Sequence, residues 1–398
     1  MNKNSQPSKP LWTTNFILLL LANALAFAPI SITGVALSLY IVRQFNENAV
    51  QVGLISSMMT LSTFLFRPFS GYLIDRLGRK WTLVVALLVS SVINFCLLLP
   101  IGLSGLGILR LFLGFPFSVF STGLSTLTAD LIPEERRSEG FSVSSIIGTV
   151  ASQVIAPIVG LSLLGDANFN LVFLFSGILG ILAVVVVLLM RFEDIKNPFL
   201  HFSMQALMEK RVLLLALIMC LIFIGWPGLL TYGPLYAQEI GFSSAIPFLI
   251  MFGLGLLFSR LLSDRFLNLC APRKAGWLAL TILLGGFALT GFVKTQPGLL
   301  GGGMLIGMGY GLSFATFPAM AVNLVEVNRR GACNATIIFG QDLGAFLGSY
   351  IFGWTAQSFG NYSSSYALVG LVMGLPMLVF LFFALPDYRK KYAKITLQ

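Results

Sequence analysis

Charge is what this sequence has least of. Asp, Glu, Lys and Arg make up 10% of its 398 residues, where a soluble domain carries about 25%. That is too little to cover a water-facing surface, and the mean hydropathy of +0.89 agrees. A soluble enzyme, a disordered chain and a secreted disulfide domain are excluded together, and lipid is left as the solvent. Histidine is nearly absent, with His201 standing alone. Cys96, Cys220, Cys270 and Cys333 are isolated in apolar stretches at no framework spacing. A Cys/His zinc site is therefore not expected, and the thiols are expected to stay reduced as small core residues. No Walker sequence occurs. Gly301, Gly302, Gly303, Gly307, Gly309 and Gly311 lie inside an apolar run, which predicts helix packing rather than a phosphate cradle. No cofactor and no use of ATP by this chain are expected. No paired nucleophile and base stands out, so an enzyme is not expected either. The net charge of +10 comes in small groups between apolar runs, a pattern of membrane loops and not of a nucleic-acid surface.

Apolar runs are what the chain has in plenty. Twelve are long enough to span, at about 14–41, 50–74, 81–100, 103–127, 140–164, 169–190, 212–238, 245–266, 275–293, 298–322, 332–356 and 364–385. Runs such as Val184 to Leu189 do not alternate, so helices are expected rather than barrel strands. The first run continues past Ala24-Leu25-Ala26 to Tyr40. That exceeds a signal-peptide core and predicts a retained span. With both termini placed on the cytoplasmic side, twenty of the 25 Lys and Arg fall in inside segments and only Arg43 and Lys294 in outside loops. This asymmetry sets the expected orientation.

The longest connection, 191–211, is charged and divides the chain into halves at 1–190 and 212–398. The halves echo one another. Asp75-Arg76 ends the second span and Asp264-Arg265 the eighth; Asp130 to Arg137 follows the fourth and Leu324 to Arg330 the tenth. Such internal symmetry marks transporters built from repeats, with the substrate site between them near the midplane.

Gly71, Asp75, Arg76, Gly78, Arg79 and Lys80, all within 71–80, resemble the signature loop of the major facilitator superfamily, G-x-L-x-D-R-x-G-R-[RK]. The loop sits after span two of twelve, as in that family. The resemblance implies an all-α membrane protein of two pseudo-symmetric six-helix halves. It also implies that Asp75 faces the N-terminus of span eleven, where partial positive charge favours an anion, and that Arg79 pairs with Asp130 in one transport state. Gly71 is read as a point of close helix approach.

Arg110 lies two turns into span four and resembles the arginine that the family links to proton coupling. A charge at that depth is functional by default, although it could instead snorkel outward. In span five, Gly148, Ala156, Pro157 and Gly160 resemble the exporters' "antiporter" motif, with Ala156 in place of its first Gly and Leu161 in place of its last. The small residues predict a close-packing stripe. In span eleven, Gly340, Gly344 and Gly348 share one face, and Asp342 lies nearly opposite. Asp342 is the only acidic residue deep inside a span. It is expected to face a cavity and carry the proton, since low dielectric disfavours its charged form. The alternative is a structural pair with a nearby basic residue. Asn23, Phe27, Gln153, Trp226, Tyr232, Tyr310, Phe314 and Gln341 are candidates for the central cavity, which the family lines with spans one, four, seven and ten. The expected protein is a monomeric, proton-driven exporter of small organic molecules in a bacterial plasma membrane. Uptake of a sugar or other metabolite, export of one metabolite such as a metallophore, and a sensor without transport remain open.

Overall fold

The computed structural model describes residues 10–133, 136–165, 168–192, 194, 208–269, 272–326 and 329–396; the side chains of 137–138, 142, 260–269, 272–273 and 392–396 lie outside that description. His201 and Cys270 are therefore not described, nor are the side chains of Asp264 and Arg265. The described chain is helical in each of the expected spans. α1 is Thr14–Phe45, α2 Ala49–Leu77, α3 Arg79–Cys96 and α4 Leu103–Leu131. α5 covers 137–164 and α6 is Phe169–Leu189. α7 covers 210–239 in pieces, α8 is Ile246–Leu269 and α9 Pro272–Phe292. α10 is Gln296–Val322, α11 Arg330–Phe359, and α12 covers 362–396. We call the face bearing the ends of α2 and α4 and the start of α7 the basic face, and the opposite one the far face.

Local chemistry explains where these helices stop. Asn48, Thr295 and Asn361 cap α2, α10 and α12 by accepting amide protons from Gln51, Gly298 and Ser364. Gly78 has φ +98° and donates to the Ile74 carbonyl. Only glycine takes that backbone readily, and it lets α3 begin one residue after α2 ends. Proline explains the irregularities. Pro157 offers no N–H to the turn before it, and α5 widens into a π-helix over Val150–Ile155. α12 does the same over Phe380–Ala384, two residues before Pro386. α7 is broken twice, around Ile224–Trp226 and at Thr231–Tyr232, next to Pro227 and Pro234. Its sequence reads as one continuous span, because hydropathy is blind to such breaks.

Within the first half, α2 packs along α4, and α6 along α1 and α3; within the second, α10 packs along α8 and α9, and α11 along α7. α2 and α11 form the long contact between halves. Glycine sets the closest approaches. A Cβ on Gly340, Gly344 or Gly348 would overlap the carbonyl oxygen of Ala216, Cys220 or Ile224 respectively. The three glycines of α11 thus cover three successive carbonyls on one face of α7. Gly160 similarly lies on the α1 backbone at Ile32, with Ala156 and Pro157 buried beside it. Gly71 and Gly148 do not follow this pattern: a Cβ on either meets nothing within 4 Å. Both were expected to mark close approach, and neither is pressed against a neighbour here.

This contrast is testable by thermal unfolding in detergent. Gly344→Ala forces a methyl against a main-chain oxygen and should lower stability by about 1–3 kcal/mol, as overpacking does. Gly148→Ala should leave the melting temperature unchanged or raise it. Equal melting of the two variants would overturn the glycine–carbonyl register.

Candidate functional site

The central feature joins the two halves. Arg67 on α2 donates from Nε to Asp342 Oδ2 on α11 at 2.9 Å. The two side chains are 9% and 15% exposed, so this is a buried ion pair inside the membrane-spanning region. Arg67 Nη1 also reaches Ser121 Oγ at 2.8 Å and Thr122 Oγ1 at 3.4 Å on α4. Ser70 joins Thr122 at 3.0 Å. One turn away, Phe64 and Phe339 stack across the same interface with centroids 4.3 Å apart. Asp342 therefore faces the other half, and its partner is a residue 275 positions away.

At the far face the contact is neutral. Tyr232, at the second break of α7, is fully buried and its hydroxyl lies 2.9 Å from the Ser349 carbonyl and 3.2 Å from the Ala49 carbonyl. Gly53 and Gly353 leave room for it. Expected among the cavity residues, Tyr232 instead ties α7, α11 and α2 together. Tyr310 is also enclosed, its hydroxyl donated to Ile222 at 3.0 Å. Trp226, at the first break, is half-buried among Phe223, Tyr310 and Phe314, with centroid separations of 5.1–6.0 Å. Phe27 meets Phe117 and Phe120 at 6.0 and 5.7 Å. Asn23 is satisfied by Leu19 of its own helix at 3.0 Å. Gln153 lies in the π-helical stretch, its Oε1 buried without a partner among the described residues, and Gln341 is half-buried. Arg110 is 6% exposed, and its Nε and Nη1 have no partner among the described residues.

The basic face carries the signature loop. Arg79 pairs with Asp130 at the end of α4. Asp194, from the connection after α6, accepts from the amides of Arg79 at 2.6 Å and Lys80 at 3.2 Å, capping α3. Lys80 Nζ reaches the Leu188 and Met190 carbonyls at the end of α6. Arg76 is exposed and bonds Tyr72. Asp75 is exposed and has no hydrogen bond among the described residues; it does not cap α11 in this conformation. In the second half, Glu209 meets Arg329 at 3.0 Å and the Arg211 amide at 3.2 Å. Burial works against ionisation of Glu209, but these bonds and the two arginine charges outweigh it and hold the carboxyl below its ordinary range. Its contribution is present near neutrality and fades as pH falls through that lowered value.

With this geometry described, comparison with known proteins is decisive on one point. A sequence profile of the Major Facilitator Superfamily matches residues 19–331 and 244–397. The chain belongs to the major facilitator superfamily. The staphylopine export protein of Staphylococcus aureus (strain Mu50) is 24% identical over 350 residues, 82% of this chain and 86% of that protein. The quinolone resistance protein NorA of the same species is 29% identical over 136 residues, 34% of each chain. Among solved structures, a bacterial homologue of the human lysosomal transporter Spinster, inward-facing and unoccupied, superposes with TM-score 0.74 at 15% identity, covering 97% of this chain and 98% of that one. A D-xylose-proton symporter superposes with TM-score 0.70 at 18% identity, covering 90% and 96%. At such identities these structures show the fold. The protein is thus a multi-pass secondary transporter that moves small solutes across a bilayer.

In this major facilitator protein the charged partner of Asp342, Arg67, escaped the sequence reading. It was visible as a basic residue inside a span, but nothing near it in sequence named its partner. The Tyr232 bridge was equally hidden, because its acceptors are main-chain carbonyls. Tyr232→Phe keeps the ring and removes that hydroxyl, a loss of about 0.5–1.5 kcal/mol. Spin labels at positions 46 and 294, in far-face loops of opposite halves, should then show a roughly two- to tenfold larger long-distance population. An unchanged distance distribution would show that the hydroxyl does not hold the far face closed.

Proposed function

We propose that this transporter is a proton-coupled exporter of small organic molecules in a bacterial plasma membrane, with its basic face cytoplasmic. Residues 1–190 and 212–398 are the halves that rock about the midplane. The observation that carries the reading is the Arg67–Asp342 pair, since the one carboxylate deep in a span sits on the seam between the halves. When Asp342 is ionised, the pair holds α2 against α11. When it takes a proton, the attraction is lost and Arg67 keeps its hydroxyl partners Ser121 and Thr122. A proton thereby relaxes the seam at a cost those hydroxyls reduce. Two relatives named as an export protein and a drug-resistance protein, together with the partial antiporter motif of α5, favour export over uptake.

A second reading, export of one dedicated metabolite, is favoured by coverage. The relative named for a single exported compound matches 82% of the chain, while the quinolone resistance protein matches 34%. Everted membrane vesicles with an acidic interior, screened against a compound panel, separate these readings. Accumulation of many lipophilic compounds supports drug export, and accumulation of one chemical type supports the metabolite reading. Uptake only into right-side-out vesicles would overturn both.

Asp342→Asn keeps the size and hydrogen bonding of the side chain but cannot titrate. It should abolish gradient-driven accumulation while leaving downhill exchange. Full uphill transport by this variant with unchanged pH dependence would remove Asp342 from the coupling mechanism.

A further inference from the structure

Among the described residues, Arg110 is a buried cation without a counter-ion. It is 6% exposed, within a membrane helix, and no hydrogen bond or ion pair to its guanidinium is found among the described residues. A charge taken out of water and left unpaired is among the costliest arrangements a protein can hold. Snorkelling does not explain it. The lipid-facing side of α4 is marked by exposed Ile108, Leu111, Phe112 and Phe115. At about 100° per residue, Arg110 points nearly opposite the centre of that group. It shares its own face, within about 20°, with Phe117 and Ser121, and Ser121 is the hydroxyl that receives Arg67. Arg110 thus belongs to the inward stripe of α4.

Among the described residues no carboxylate pairs with it. Of the fifteen Asp and Glu, only Asp342 lies deep inside a span, and it is engaged by Arg67. The two are also at different depths. Arg110 is about 10 Å from the far-face end of α4, and Asp342 about 26 Å from that end of α11. A planar guanidinium matches a carboxylate, as it does a phosphate, through two parallel N–H donors, and the single charge of a carboxylate balances the single charge of Arg110. Further along the same stripe, Phe117 with Phe27 and Phe120 gives an apolar wall.

We propose that Arg110 receives the carboxylate of the transported molecule, so that the solutes selected are organic acids or zwitterions with an apolar or aromatic body. This rests on the reading of the chain as a carrier of small organic molecules, but not on the direction of transport or on its coupling to protons.

The test is equilibrium binding without any gradient. Purified protein in phosphatidylcholine nanodiscs is melted with sodium 2-naphthoate, sodium benzoate or tryptophan, with the neutral 2-naphthamide and benzamide, and with sodium chloride at matched ionic strength. At least one carboxylate should raise the melting temperature in a saturable way, while the amides and chloride do not. Arg110→Gln should weaken that response at least tenfold in half-saturating concentration, and should itself melt no lower than the wild type, because the unpaired charge is gone. Arg110→Lys keeps the charge but not the fork, and should retain a weakened response. The proposal is overturned if carboxylates act no better than their amides on the wild type, or if chloride acts equally, which would mean a site for inorganic anions. It is also overturned if the response survives in Arg110→Gln. Should that variant not fold, the carboxylate–amide comparison on the wild type and the Arg110→Lys response decide the matter. Failure of proton-driven export with the carboxylate response intact would overturn the export reading alone.

Discussion

Everything else in this transporter is arranged around one charge pair on the seam between its halves. Arg67 and Asp342 are both largely buried, and either one alone would be costly. Removing one partner of a buried pair costs about 3–5 kcal/mol, because the other is left uncompensated. The pair is also not isolated. Ser121 and Thr122 share the guanidinium, so α4 is drawn into the same contact and the first half presents Arg67 from a fixed position. A pair held this way is a weak source of stability but a strong constraint on the register of α2 against α11.

That register is set independently on the other side of α11. Gly340, Gly344 and Gly348 each lie on a carbonyl of α7, so α11 can neither rotate nor slide on α7 without a clash. Asp342 is thereby aimed at α2 by glycines that never touch it. α7, unlike α11, is broken twice. Its two breaks put Trp226 in an aromatic cluster at one level and Tyr232 at the far-face closure at another. In many transporters discontinuous helices form the substrate site.

How much of this the sequence discloses follows from the range of each interaction. Hydropathy marked the spans, because burial in lipid is a local property of twenty residues. The small-residue stripe of α11 and the Arg79–Asp130 pair were also legible, the first from helical periodicity and the second from a resemblance carried by ten residues. The partner of Asp342 was not, because it lies 275 residues away and any of the basic residues inside spans satisfied the same sequence criterion. The aromatic residues show a different limit. Tyr232 and Tyr310 have the composition of cavity residues, but their hydroxyls are taken up by main-chain carbonyls, and carbonyls carry no sequence signature. Gly71 and Asp75 show a third. Their roles are expected from the signature loop, yet this conformation leaves Gly71 without a close neighbour and Asp75 exposed.

The two polar contacts between halves described above differ in kind, and in the proposed cycle the difference decides which of them a proton can control. At the far face a single neutral hydroxyl is shared between two carbonyls, a contact of about 0.5–1.5 kcal/mol that does not change with pH in any range a cell reaches. At mid-depth the contact is electrostatic and buried, and the protonation of one atom removes its attraction. In the proposed cycle the far-face closure therefore follows the seam and does not drive it. The leverage sits where the halves hold charge, and the weak neutral closure lets that leverage reach the far side without a second energetic input.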